Sequence, residues 1–136
     1  MRLKPACPGR QIKSSMETIK LPPGDVPCTA YHDKLAAEAD ACIVINRIKP
    51  HTQVGTAAFV DQQPFQSGLF KMITIGLGNN DGAQELHSGN YPRRMCELMP
   101  AVARQKIRLS TDGSGKCNLV AGLAIIENAY DQTMLV

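Results

Sequence analysis

In the run ACIVIN, residues 41–46, the first five are apolar at consecutive positions, and Ile43, Val44 and Ile45 are all β-branched. A strand written this way buries both faces, as a parallel strand does when helices cover each side of its sheet. Pro50 bars helix at Lys49 and closes the element. Two more segments read as buried strands: Met72–Ile75, ended by Gly76 and Gly78, and the run LVAGLAIIENA beginning at Leu119. Helical patterns lie between them. Asp33–Asp40 places Leu35, Ala36 and Ala39 on one face. Asp81 with Gln84 resembles a capping box, and Gly89 supplies a stop. Beyond Tyr91-Pro92, Met95, Leu98 and Met99 share a helical face; Pro100 should kink or restart that helix, which continues over Ala101–Ile107. Helices alternating with buried strands predict an α/β fold with a mainly parallel sheet in three layers.

Residues 1–30 carry Pro5, Pro8, Pro22, Pro23 and Pro27 with Gly9 and Gly24, and form an irregular proline-rich arm with at most a short strand around Met16–Leu21. Residues 31–136 form the partial α/β domain, with Gly55–Gln66 as an irregular loop. Three strands make a thin sheet whose edges would expose unpaired backbone. The chain stops a few residues after the third strand, at Met134, Leu135 and Val136. Both observations predict a fold completed by further chain or by a partner, a second copy included.

Composition excludes several function classes. Aromatic residues are 4% of the 136, which leaves little for nucleobases to stack on. A net charge of +3, scattered along the chain, is no nucleic-acid footprint. MRLKPACPGRQ lacks the apolar core of a secretory signal. The longest apolar run, Leu119–Ile126, has eight residues where a membrane span needs ~20. Cys7, Cys28, Cys42, Cys96 and Cys117 form an odd, dispersed set without C-x-x-C, which fits reduced thiols in a cytoplasmic protein.

Ligands in open α/β sheets bind beyond the carboxyl ends of the strands. The first strand delivers Asn46, Arg47, Lys49 and His51 to that edge, and the second delivers Gly76–Asn80. Lys71 precedes the second strand and could fold toward the same cleft; His87 ends the following helix. Two histidines and a lysine so gathered suit proton transfer, metal ligation or covalent attachment. The bland alternatives are a helix-end histidine on the last carbonyls and a solvated strand-end lysine. GLGNNDG, at Gly76–Gly82, also resembles a phosphate-cradling turn, although its glycine spacing differs from the dinucleotide fingerprint.

Taken together, NRIKPHT, SGLFKM, IGLG with the following GA and His87, and AIIENAYD resemble the nickel-pincer lactate racemase family over roughly Val26–Asp131. The resemblance implies an α/β N-terminal domain that, with a C-terminal domain, encloses a nickel pincer nucleotide, a pyridinium thioamide/thiocarboxylate complex. It assigns Lys71 as the covalent anchor, His51 as the acid/base for the substrate hydroxyl and His87 as the nickel ligand, with Gly76 and Gly78 beside the cofactor. The implied reaction is racemisation or epimerisation of a small 2-hydroxy acid: the hydroxyl loses its proton while the cofactor takes a hydride and returns it to either face. The family's second catalytic histidine and its substrate-binding Asp and Arg would lie upstream of Met1, so the chain on its own is expected to be inactive. Two other readings stay open, a non-catalytic partner-binding fragment and a nucleotide-binding oxidoreductase domain using GLGNNDG.

Overall fold

A computed structural model describes residues 11–48, 67–89, 93–130 and 132–135. His51, Lys49, Pro50 and the loop from Gly55 to Gln66 lie outside the described residues. The elements run in the order β1 (Thr18–Lys20), β2 (Tyr31–Asp33), α1 (Lys34–Glu38), β3 (Cys42–Arg47), α2 (Ser67–Thr74), a 3-10 turn (Gly76–Gly78), α3 (Asn79–His87), α4 (Arg93–Thr111), β4 (Leu119–Glu127) and β5 (Thr133–Leu135). The protein is mixed α/β, with its strands in two small sheets. β1 and β2 form an antiparallel pair; the other sheet has the order β3-β4-β5, with β3 parallel to β4 and β5 antiparallel to it.

One strand expectation is overturned. Met72–Ile75 is not a second buried strand but the end of α2 and its exit. Short apolar runs are ambiguous between strand and buried helix, and here the wider segment decides. Leu69, Met72 and Ile73 recur at helical spacing, and Leu69, Phe70, Met72 and Ile73 all pack into the cluster around Val44 and Ala103. The β-branched Thr74 is accommodated because its hydroxyl donates to the Phe70 carbonyl four residues back, at 2.6 Å.

The sheet is also not apolar-buried on both faces. Val44 points into the core, whereas Ile43 and Ile45 are 59% and 53% exposed, and Leu123 of β4 is exposed beside them. α2 and α4 cover the Val44 side. The consecutive apolar pattern therefore marks a strand with one open apolar face among the described residues.

α4 reaches Thr111 and carries Pro100 in its interior rather than restarting there. Met95, Leu98, Met99, Val102 and Leu109 make its buried stripe, packed with Leu21, Ala30, Leu86 and Cys117. α3 begins at Asn79, with Gly78 as its N-cap and no side-chain cap, so the Asp81–Gln84 capping box is not formed. Asp81 instead accepts the Thr18 hydroxyl, tying α3 to β1. Gly89 does stop the helix, at φ +67°. His32 lies in β2, directly before Asp33, which caps α1 by accepting from Ala36 N at 2.9 Å.

Candidate functional site

The carboxyl end of β3 is tied to the start of α2. Asn46 donates through Nδ2 to the Gly68 carbonyl at 3.0 Å, and Arg47 pairs with Glu127 of β4 at 3.0 Å. From Gly68, α2 runs back along the sheet, so that Ile73 packs with Val44 and Cys42 nearer the amino end of β3. Lys71 is exposed, three residues beyond Gly68 and about 4.5 Å along the helix axis. The Gly76–Gly78 turn does not join Asn46 at the carboxyl edge. It sits against β2, where a Cβ on Gly78 would lie 3.7 Å from the Tyr31 carbonyl.

His87 is exposed in the last turn of α3, and its Nδ1 is 2.7 Å from the Ala83 carbonyl. A carbonyl can only accept, so Nδ1 carries the proton and a neutral ring keeps its lone pair on Nε2. Lys71 and His87 therefore stand on separate helices on either side of the glycine turn. Clefts of about 360 Å³, lined by Asp25, Arg104 and Arg108, and about 390 Å³, lined by Val44, Leu69 and Val120, are not lined by Lys71, Gly76, Gly78 or His87. The dinucleotide geometry is not formed either, because GLGNNDG follows a helix where the fingerprint needs a strand.

A second cluster went unseen in the sequence. Lys106, His32 and Cys117 are each fully buried. Lys106 donates through Nζ to the Ile73 carbonyl at 2.8 Å, and burial pulls its amine down to about 7. The His32 Nε2 lies 3.2 Å from the Cys117 carbonyl, which leaves Nδ1 as a buried acceptor with no donor among the described residues. Burial, then the proximity of Lys106, holds that imidazole down at about 4. Burial also pushes the Cys117 thiol up to about 11 and raises that of Cys42. At neutral pH the histidine and both thiols are uncharged and the amine is close to its own midpoint, so the cluster suits holding a proton more than nucleophilic attack. The signal for it was present: Lys106 falls four residues after Val102, on the apolar stripe of α4.

In comparisons with known proteins no family model matches the chain, and no curated protein or solved structure is significantly similar to it. No helix among the described residues is long and apolar enough to cross a membrane.

Proposed function

We propose that the chain supplies part of a nickel-pincer-dependent racemase or epimerase of small 2-hydroxy acids, as the resemblance of its motifs implies. The observation that carries this reading furthest is the engagement of His87 Nδ1 with the Ala83 carbonyl at 2.7 Å. Metal-binding histidines characteristically donate their second ring N–H to a carbonyl or carboxylate, which fixes the tautomer and directs the other nitrogen at the metal. The exposed Lys71, one turn into α2, suits covalent attachment of a carrier.

The residues present fit the group on one condition. Among the described residues no three His, Cys, Asp or Glu converge as a metal site, so nickel would depend on donors that the pincer itself brings. When bound, the cofactor supplies a hydride acceptor beside a metal. The protein's share is then position and proton traffic. Lys71 Nζ would tether the group, His87 Nε2 would help to hold the metal, and His51 would take the proton from the substrate hydroxyl oxygen. The proposal includes a three-layer domain in which a C-terminal domain, further chain or a second copy covers Ile43, Ile45 and Leu123. That same open face favours the second reading, a non-catalytic module that docks on a partner.

Co-expression with cofactor-synthesis enzymes, followed by intact-mass and nickel analysis, tests the proposal. The expected result is an adduct mapped to Lys71 with about one nickel per chain, and no adduct on Lys71→Arg. An unmodified, metal-free chain would leave the partner-binding module as the better reading. The chain alone is expected to show no racemisation.

A further inference from the structure

Lys106 is fully buried, and among the described residues its amine has one acceptor, the Ile73 carbonyl at the C-terminal end of α2. The titratable groups facing it are His32 and Asp33 from β2, Cys42 from β3 and Cys117 from the turn before β4. On its own helix, Arg104 and Arg108 lie on the exposed face. Asp33 is the one anion in the set, and its oxygens are already engaged: Oδ1 by Ala36 N at 2.9 Å and Oδ2 by Asn79 Nδ2 at 2.8 Å. A protonated amine at this place has three donors and a single carbonyl to satisfy them, beside a histidine that cannot share the charge.

We infer that Lys106 is a proton-operated latch on α2: the neutral amine holds the Ile73 carbonyl and seats the helix, and proton uptake from water releases its C-terminal end. The released part contains the Ile75 N–H bond to the Lys71 carbonyl at 2.8 Å and the Gly78 N–H bond to the Ile75 carbonyl at 3.1 Å. No bond other than N–H forms in the step, and the proton comes from solvent. The latch stands whether or not Lys71 carries a cofactor, because it concerns the placement of the helix and not its cargo.

In the open state the amine returns to the ordinary lysine range near 10.5, whereas in the closed state it is held near 7. Opening therefore takes up one proton between those limits, and the opening constant falls about tenfold for each pH unit gained there. Hydrogen exchange of the full chain, expressed as protection factors corrected for intrinsic exchange, reads this directly. From pH 7.5 to 9.0, protection over residues 71–78 is expected to rise about 30-fold, from a level at pH 7.5 well below that of β3. In Lys106→Met the rise should vanish. No rise in the wild type, the same rise in Lys106→Met, or protection over residues 71–78 as high as that over β3 at pH 7.5 (which would mean that both open by global unfolding) overturns the latch. Should Lys106→Met fail to fold, titration of the Lys106 ε-carbon by NMR in the wild type decides: a midpoint near neutrality supports the latch, and one near 10.5 defeats it.

Discussion

Lys106 in α4 donates to the main-chain carbonyl of Ile73 in α2 at 2.8 Å, and among the described residues no carboxylate pairs with its amine. An unpaired buried ammonium costs several kcal/mol, so burial pulls the proton affinity of this lysine down to about 7, and its amine serves as a hydrogen-bond donor between two helices. The contact crosses from the stripe of Met99 and Val102 to the cluster of Val44 and Ala103, and so joins the two parts of the core.

Stability should rise with pH in two windows. The His32 imidazole is held at about 4 against an ordinary 6.5, and the Lys106 amine at about 7 against 10.5. In both intervals the unfolded chain binds more protons than the folded one, so stability is complete above the unfolded value and is lost as pH falls to the folded value. Urea unfolding at pH 7 and 4.5 should show a loss of up to about 3 kcal/mol from His32, at ~1.4 kcal/mol per unit. His32→Gln should flatten that window and leave the one above pH 7 in place.

Asn118 should be hard to replace. Its φ is +55°, and its Nδ2 donates to the Ala37 carbonyl at 3.2 Å and the Ala39 carbonyl at 2.8 Å, stapling the end of α1 to the start of β4. Asn118→Ala loses both bonds and strains the backbone, for roughly 2–3 kcal/mol in thermal or urea unfolding. Asn118→Gly removes the strain and should recover about 1 kcal/mol of it. Equal losses in the two variants would show that the left-handed backbone carries no cost.

The two faces of β3 should respond differently. Val44→Ala empties a packed site against Ile73 and Ala103 and should cost about 1.5–3 kcal/mol. Ile45→Thr, on the open face, should change stability of this chain by less than ~1 kcal/mol while reducing self-association in light scattering. A large destabilisation by Ile45→Thr at low protein concentration would show that the face is covered in solution.

Under the nickel-pincer proposal, Lys71 and His87 have separable tasks. His87→Ala should lower retained nickel by tenfold or more, and the covalent adduct on Lys71 should persist. Loss of both together in a folded variant would assign His87 to folding or loading rather than to the metal.

Much of the fold was legible locally. The β3 and β4 runs, the helices α1 and α4, and the stop at Gly89 follow from apolar periodicity and from glycine's tolerance of positive φ, whereas α3 begins at Asn79, two residues before the Asp81 that the capping-box pattern marks. Met72–Ile75 was not legible, because four apolar residues fit either a strand or a helical stripe. Packing of Leu69 and Ile73 on Val44 chose the helix, and with that choice the Gly76–Gly78 turn moved from the carboxyl edge to β2. The sequence by itself determined which residue types were available for chemistry: Lys71, His87 and, outside the described residues, His51. Only the tertiary structure decided that Lys106 and His32 would lose their water, since spacing can place a side chain on a face but the surrounding elements determine whether that face is dry. That loss of solvent moves both groups' proton affinities, and the place of Lys106 on the apolar stripe of α4 permits it without fixing it.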